Sequence, residues 1–292
     1  MYIQSFFRYI TNEKRYSKHT IRSYKSDIEQ FIDFCNETDP NFNPVACDHQ
    51  IIRKWIIFLM ESGNSSRSVN RKITTLKTFF KFLFRDGIIN KMPTDKVVMP
   101  KMRKALPNFV SKSAMDILFD QFNFDDTFEG TRDRCIMLMF YCTGMRLSEL
   151  VNLNIQNVDF GIKQLKVLGK RNKERLIPFN NELAASLENY LQLRRKLNCS
   201  HNIVFVKDDG EPVYDKLVYR VVNKYLSAVT TLEKRSPHIV RHTFATQMLN
   251  NGADLNAIKE LLGHANLSAT QIYTHTSFEK LKQIHKQAHP RA

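Results

Sequence analysis

The stretch G-H-A-N-L-S-A-T-Q-I-Y-T-H, residues 263–275, places Tyr273 between two histidines, shortly after a glycine that can end a helix. Three motifs precede it in the chain: T-G-M-R-L-S-E-L at 143–150, L-G-K-R-N-K-E-R at 168–175 and S-P-H-I-V-R-H-T-F-A-T at 236–246. We interpret Tyr273 as a nucleophile and the three earlier motifs as a cationic cage around the phosphate that it attacks. The rest of the chain then assembles this cage and presents basic surface.

The cage follows from what displacement at a phosphodiester requires. The reaction places extra negative charge on the non-bridging oxygens, and Arg146 and Arg241 offer planar guanidinium groups that can bind those oxygens in pairs. His238 lies one helical turn before Arg241, so both should point to the same side of a helix. Lys170, at a hairpin tip, can protonate a leaving oxygen, and His264 can donate or accept a further proton. A tyrosine, with a pKa of ~10, needs such neighbours to act as a nucleophile at pH 7.

Each of these elements also has an ordinary structural interpretation when it is taken alone. Most tyrosines are structural, and a lysine in a charged hairpin is usually a solvated turn residue, a position for which Lys173 competes with Lys170. His238 and His242 have the i, i+4 spacing that zinc can use. The chain has no glutamate in the H-E-x-x-H position and no third ligand at an obvious spacing, so we predict neither a metal nor another cofactor.

Composition restricts the class of protein. The 292 residues are 42% hydrophobic and 25% charged, which is ordinary for a globular protein of one large or two modest domains. The net charge of +15 favours a nucleic acid or an anionic membrane surface as the partner. The longest apolar runs, 55–60 and 135–142, are far shorter than the ~20 residues that a membrane-spanning helix needs, so we predict no membrane association.

Cysteine usage and the N-terminus indicate the compartment. The 5 cysteines are scattered and form no C-x-x-C pair, which predicts buried free thiols rather than disulfides or a zinc site. The N-terminal M-Y-I-Q-S-F-F-R lacks the basic and apolar regions of a secretion signal. We therefore expect a cytoplasmic protein.

Residues 1–90 carry a helical pattern with basic faces. Ser17 and Asp48 are predicted N-caps, and a further helix is predicted over 66–85. The apolar residues of this last helix fall on one narrow arc and its cations on the opposite arc. Because almost no acidic residue lies among those cations, we interpret the basic faces as phosphate-binding rather than solvated. The predicted DNA-contacting residues are Lys18, Arg22, Lys25, Arg67, Arg71, Lys77, Lys81 and Arg85.

A proline-rich basic segment divides the sequence. Pro93, Pro100 and Pro107 exclude a continuous helix here, and we interpret the segment as a linker that follows a DNA backbone. Lys and Arg exceed Asp and Glu on both sides of it, as expected for a two-domain DNA clamp. We predict a helical domain over 1–90, a basic linker over 91–108 and a catalytic domain over 109–292.

The second domain is predicted to be mainly α-helical with one small antiparallel β-sheet. A strongly apolar helix is expected from about 131 to 142, ending at Gly144, and strands at 164–168 and 174–179 flank the turn G-K-R-N. Further helices are predicted near 181–197, 216–229, 238–251, 254–262, 268–273 and 277–287. The predicted fold class is mainly α, with both domains rich in helix.

The four motifs, the H-P-R-A ending and the T-I-R-S-Y-K-S-D-I segment of the helical N-terminal half resemble those of the tyrosine recombinases, and among these the Xer-type enzymes. The resemblance covers essentially the whole chain and implies an N-terminal core-binding domain with a SAM-like fold. It implies that Arg146 and Arg241 bind the scissile phosphate and that Lys170 is the general acid toward the leaving 5′-oxygen.

The resemblance also implies roles for the remaining motif residues. His238 and His264 would complete the proton network, Glu149 would brace the site, and Tyr273 would form a 3′-phosphotyrosyl bond. Arg171 departs from the glycine that is common in the family at this place, and we expect it to contact phosphate itself.

Several alternatives remain open from the sequence. The resemblance implies double-stranded DNA, a Holliday junction and a tetramer on paired sites, either homomeric or shared with a second Xer-like recombinase, with a DNA translocase as a potential activator. Chromosome dimer resolution is favoured over a mobile-element integrase or a DNA invertase. A catalytically silent DNA-binding regulator would have lost Tyr273 or an arginine, and a monomeric type IB topoisomerase would not need the basic N-terminal domain. The last helix either docks into a neighbouring subunit or packs on its own domain.

Overall fold

The computed structural model describes residues 2–102, 108–169, 174–263 and 275–291. The chain divides into two compact units, Met1–Ala105 and Leu106–Ala292, each with a hydrophobic core. The helices of the first unit are α1 (Tyr2–Arg8), α2 (Lys18–Thr38), α3 (His49–Glu61) and α4 (Ser66–Arg85). A π-helical turn over Tyr9–Glu13 follows α1, and a 3₁₀ turn over Pro44–Ala46 precedes α3.

Polar side chains fix where the helices of the first unit begin. Ser17 caps α2 and Asp48 caps α3, each accepting hydrogen bonds from the first-turn backbone N–H groups, as predicted. Ser65 caps α4 in the same way. The residues predicted to form the apolar arc of α4 are all buried: Val69, Ile73, Leu76, Phe80 and Leu83.

A buried carboxylate lies under the basic face of α4. Asp27 of α2 is 1% exposed, and it accepts hydrogen bonds from the guanidinium of Arg71, from Lys72 and from Thr75. No acidic residue lies within α4 itself, but Arg71 is paired with an acidic residue of another helix, which weakens its interpretation as a phosphate contact. The 3.6-residue period shows only the neighbours within α4, whereas the partner of Arg71 belongs to α2.

The second unit contains eight described helices and a small sheet. A π-helical turn over Ile117–Gln121 follows the first of these helices. No helix within the described ranges is long and apolar enough to cross a membrane. The helices are α5 (Lys112–Asp116), α6 (Phe128–Thr143), α7 (Leu147–Val151), α8 (Asn181–Arg194), α9 (Asp215–Val229), α10 (Pro237–Asn250), α11 (Leu255–Leu262) and α12 (His275–Ala288).

The sheet has three antiparallel strands in the order β1-β2-β3, namely β1 (Val158–Asp159), β2 (Gln164–Leu168) and β3 (Glu174–Pro178). The hairpin of β2 and β3 was predicted from the sequence, and its register places Leu165 opposite Ile177. The two-residue strand β1 was not predicted, because an alternating pattern needs more residues to be visible. The mainly α, two-domain architecture with a small antiparallel sheet is confirmed.

Helix α6 crosses the core of the second unit. Every residue from Cys135 to Thr143 is buried, and Gly144 ends the helix in the left-handed conformation with a φ of 59°. The helix begins at Phe128 rather than near residue 131, because the side chain of Thr127 caps it by accepting from the backbone of Gly130.

The last helix, α12, packs on its own domain. Leu281 and Ala288 are buried in a cluster with Phe244 and Met248 of α10. Beyond α12, the guanidinium of Arg291 forms hydrogen bonds with two carboxylates of the same domain. In this single chain, the last helix therefore packs on the domain to which it belongs.

Candidate active site

Arg146 lies at the turn between α6 and α7. Two residues after Gly144, it takes the extended N-cap conformation that begins α7. Its backbone N–H donates to Oε2 of Glu149 (2.7 Å), and its guanidinium donates to Oε1 of the same carboxylate (2.8 Å). A second guanidinium nitrogen donates to the carbonyl of Gly263 (2.7 Å). The T-G-M-R-L-S-E-L motif thus ties both backbone and side chain of Arg146 to one carboxylate.

Arg241 reaches the same region from α10. It is 8% exposed, and its two terminal nitrogens donate to the carbonyls of Gly144 (2.5 Å) and Leu262 (2.6 Å). Burial, followed by repulsion from Arg146 and Arg175, lowers the pKa of Arg241 to about 9. The guanidinium nevertheless stays protonated at pH 7.

A third arginine, Arg175 of β3, was not predicted as a site residue. Its terminal nitrogens donate to both oxygens of Glu149 (2.5 and 2.8 Å), and its Nε donates to the carbonyl of Leu261 (2.9 Å). The alternation of the strand could have identified it, because Arg175 lies on the same buried side of β3 as Ile177. An arginine in the buried phase of a strand needs an acidic partner inside the fold, and Glu149 provides it.

Glu149 is the one carboxylate that Arg146 and Arg175 contact within the described residues. Burial alone would raise its pKa, but hydrogen bonds and charge attraction from Arg175 and Arg146 outweigh burial, so the pKa lies below its ordinary value. Because Arg241 donates to the same end of α11 without a carboxylate of its own among the described residues, three guanidinium groups and one carboxylate leave an excess of positive charge in a largely buried site.

The C-terminal end of α11 is where the three arginines meet. The carbonyls of Leu261, Leu262 and Gly263 each accept one hydrogen bond, from Arg175, Arg241 and Arg146 respectively. The last carbonyls of a helix carry partial negative charge and lack partners within the helix, so cations are favourable there. The motif that contains Tyr273 begins at this helix end.

Two glycines leave room for the close packing of side chains around the end of α11. Gly263 caps α11 with a φ of 65°, and a Cβ atom there would lie 3.0 Å from Cδ of Arg175. A Cβ at Gly144 would lie 2.5 Å from the ring of Phe244. Both positions combine a left-handed backbone with a neighbour that leaves no room for a side chain.

His238 stands in the first turn of α10 and is exposed, whereas Arg241 of the same helix is buried. His242 is also exposed. Across the ranges that the structure describes, no group of three His, Cys, Asp or Glu side chains is arranged to hold a metal ion.

Four predicted site residues lie outside the described residues: Lys170, Arg171, His264 and Tyr273. The structure therefore brings together Arg146, Glu149 and Arg241, and it adds Arg175. The three arginines contact the C-terminal end of α11, after which the segment carrying Tyr273 follows, and Arg175 is the second residue of β3, which follows the segment carrying Lys170.

The cations predicted to contact DNA in the first unit differ in their surroundings. Lys25 lies 3.8 Å from Glu29, and Arg85 pairs with Asp86 (3.1 Å) while its guanidinium lies over the ring of Tyr9. The remaining cations have no ion-pair partner among the described residues, and apart from the half-buried Lys77 they are exposed: Lys18, Arg22, Arg67, Lys77 and Lys81.

Comparison with known proteins identifies the family to which the chain is similar. The phage integrase family matches residues 111–280, and the phage integrase N-terminal SAM-like domain matches residues 3–87. The chain is 37% identical over 99% of its length to tyrosine recombinase XerC of Thermodesulfovibrio yellowstonii, covering 96% of that protein. It is 38% identical over 99% of its length to tyrosine recombinase XerC of Staphylococcus saprophyticus, covering 97% of that protein.

The fold is also shared with a solved structure. The Tn1549 transposon integrase in complex with circular intermediate DNA matches with a TM-score of 0.71 and 19% identity, over 96% of this chain and 98% of that chain. The chain therefore belongs to the phage integrase family and is a site-specific tyrosine recombinase of the Xer type.

Proposed function

We propose that the chain cuts and rejoins double-stranded DNA through a covalent bond to Tyr273, and that its cellular role is the resolution of chromosome dimers. The observation that supports the chemistry best is the meeting of three guanidiniums at the end of α11, two of which also bind Glu149. The excess positive charge there is relieved when an anion binds, and a phosphodiester is the anion that this family transfers. The near full-length similarity to XerC proteins supports the cellular role.

Each motif residue then has one task. Arg146 and Arg241 bind the non-bridging oxygens of the scissile phosphate and stabilise the charge that develops there. The Oη of Tyr273 attacks phosphorus and forms a 3′-phosphotyrosyl bond while the bond to the 5′-oxygen breaks. Lys170 gives a proton to that departing oxygen, and the phenolic proton of Tyr273 passes to the network formed by His238 and His264.

Binding must precede this step, and the arginines of the cage have to exchange partners for it. Arg146 now donates to Glu149 and to the carbonyl of Gly263, and Arg241 donates to the carbonyls of Gly144 and Leu262. A guanidinium has five N–H groups to share among such acceptors. Arg146 keeps 22% of its side chain exposed, so it is the member of the group that a phosphate can reach first.

Rejoining is the same step in reverse. A 5′-hydroxyl of a partner duplex attacks the phosphotyrosyl bond, so that one phosphodiester replaces another of similar energy. We propose that this exchange proceeds through a Holliday junction in a tetramer on paired sites, made of this chain alone or shared with a second Xer-like recombinase. The exposed cations of the first unit and Arg171 would hold the DNA, and the cytoplasm is the proposed compartment.

A nicked suicide duplex tests this function. When the nick lies next to the cleavage site, the fragment carrying the 5′-hydroxyl diffuses away and the covalent adduct accumulates. We expect a DNA-protein band on a denaturing gel in the presence of EDTA, absent in Tyr273→Phe although that variant still binds DNA. Sequencing the trapped DNA from a genomic library then distinguishes a chromosomal Xer site from an integrase or invertase site. An adduct in Tyr273→Phe would overturn the assignment of the nucleophile.

A further inference from the structure

We propose that Arg175 is a positioning residue for the reaction, acting on Arg146 through Glu149. This inference rests on the proposed function, because the quantity that it predicts is the rate of DNA cleavage. Arg175 does not contact the phosphate in this proposal. It fixes the carboxylate that in turn orients the guanidinium of Arg146.

The difference between the two arginines is one of access. The side chain of Arg175 is 3% exposed and that of Arg146 is 22% exposed, although both donate to the same carboxylate. All three guanidinium nitrogens of Arg175 donate hydrogen bonds within the protein, two to Glu149 and one to the carbonyl of Leu261. Arg175 can therefore orient Glu149 but cannot reach a ligand, whereas part of the Arg146 side chain is accessible to one.

Arg175 joins the three elements on which the site depends. It belongs to β3, it binds the carboxylate of α7, and it binds the last turn of α11. In the sequence, β3 is preceded by the segment that contains Lys170, and α11 is followed by the segment that contains Tyr273. One buried guanidinium thus links the attachment points of the proposed acid and the proposed nucleophile to the phosphate-binding arginine.

The contacts require a guanidinium rather than any cation. A planar fork can donate to two carboxylate oxygens and, through Nε, to a third acceptor in a different direction, while an ammonium group is a single point of charge. The aliphatic part of Arg175 also packs against Gly263, where a Cβ would lie 3.0 Å from its Cδ. A lysine keeps the positive charge and most of the aliphatic chain, but its single ammonium group cannot bind both Glu149 and the carbonyl of Leu261.

Arg175→Lys is the informative variant, and Arg194→Lys is its matched control. Arg194 is also a buried arginine of the same domain, 6% exposed, and it donates to the carbonyls of Ile203 (3.0 Å) and His201 (2.8 Å), neither of which belongs to the site. Both substitutions therefore replace a buried guanidinium that donates to backbone carbonyls. Only one of them removes a bond to Glu149.

The experiment measures DNA affinity and single-turnover cleavage of the nicked duplex separately. For Arg175→Lys we expect the Kd for DNA to stay within about threefold of the wild type and the cleavage rate to fall about 100-fold, the effect of a small misplacement of a catalytic group. Arg194→Lys should cleave at nearly the wild-type rate at an equal folded fraction. Equal rates in the two variants would overturn the proposal.

A 5′-bridging phosphorothiolate duplex tests the route of the effect. Its sulfur leaves without needing a proton, so it restores variants that lack only the general acid. We expect no restoration in Arg175→Lys, because the defect lies in the cage; restoration would show that Arg175 acts on the proton donor and would overturn the route through Glu149. If the wild-type chain forms no adduct on any duplex, the proposed function fails before Arg175 is tested.

Discussion

Glu149 stabilises a group of charges that would otherwise repel each other. Its carboxylate accepts from Arg146 and Arg175, and it is itself buried, at 6% exposure. A buried carboxylate of this kind is costly to place but far more costly to remove, because the cations that it neutralises stay behind.

Glu149→Gln is therefore expected to lower the free energy of unfolding by about 3–5 kcal/mol, the cost of leaving buried charges without their partner. Urea denaturation at pH 7 measures this change. Glu188→Gln, on the exposed face of α8, is the control and should change little. A loss below about 1 kcal/mol would show that the arginines do not need this carboxylate.

The sign of the pH dependence follows from the lowered pKa of Glu149. Because the folded state binds this proton less readily than the unfolded state, the contribution of Glu149 is complete above its ordinary pKa and decreases as pH falls below it. The wild type should therefore lose more stability than Glu149→Gln between pH 5 and pH 3. Parallel curves would contradict this account.

Arg241→Ala is expected to slow DNA cleavage by about 10²–10³-fold, the loss associated with one donor that stabilises developing charge. Single-turnover cleavage of the nicked duplex measures the rate, and a binding assay should show that DNA affinity changes much less. A cleavage rate within a factor of about three of the wild type would contradict the proposed role of Arg241 in binding the phosphate.

At the residue scale, the sequence motifs predicted three of the four residues that the structure brings together, and the buried Arg175 was missed. Arg146, Glu149 and Arg241 were predicted, and the structure brings them together. Arg175 was overlooked because a basic residue near a hairpin resembles any solvated cation until its phase in the strand is considered. The acidic partner of Arg71 was missed for the corresponding reason, since Asp27 belongs to another helix.

At the scale of single elements, α12 depends on two buried histidines. The Nε2 of His285 donates to the carbonyl of Cys142 (2.7 Å), and that of His289 donates to the carbonyl of Tyr141 (3.0 Å). The two rings stack with their centroids 5.0 Å apart. Burial lowers the pKa of both, and the presence of His285 further lowers the pKa of His289, to about 3.

Mild acid should therefore loosen the last helix. The folded-state pKa of His289 lies below its unfolded value, so its contribution is complete above about pH 6.5 and decreases as pH falls toward about 3. Between pH 6.5 and pH 5 the free energy of unfolding of the wild type should fall by about 2 kcal/mol more than that of His289→Gln, because one pKa unit corresponds to roughly 1.4 kcal/mol. Denaturation curves at the two pH values measure this. His242→Gln, at an exposed position of α10, should behave as the wild type.

The elements were predicted where one local signal determines them. Helix α4 was predicted from end to end, because its apolar arc and its cations keep one period over the whole helix. The π-helical turns after α1 and α5 were not predicted, since they continue the helical period and differ from it only in hydrogen bonding.

At the scale of the whole molecule, positive charge is the dominant property. The net charge of +15 lies partly in the buried cage and partly on exposed cations such as Arg67 and Lys81 of α4. Exposed cations attract a polyanion at long range and contribute affinity that falls with salt, whereas the cage acts at a single phosphate.

Arg67→Ala and Lys81→Ala are expected to weaken DNA binding about equally for all sequences, and each should reduce the slope of log K against log salt concentration by about one. Lys54→Ala, which removes an exposed cation of α3 outside the predicted faces, is the control and should leave the slope unchanged. Binding titrations between 50 and 200 mM salt measure the slope. A slope that is unaffected by either variant of α4 would contradict phosphate contact at this face.

The mainly α class, the two domains and the positions of the motifs were all predictable from the sequence, because charge, period and spacing are visible in a chain. The meeting of three arginines at one helix end was not. It depends on long-range contacts, such as that between Arg175 and Leu261, which no local pattern contains.

The attachment point of the DNA is the most direct test of the whole account. The adduct trapped on a nicked duplex is digested with nuclease and protease, and mass spectrometry locates the nucleotide that remains on the peptide. We expect it on Tyr273, joined through a 3′-phosphate, and on none of the other tyrosines among the 10 in the chain. A nucleotide on a different residue, or one joined through a 5′-phosphate, would contradict the proposed nucleophile and its cage.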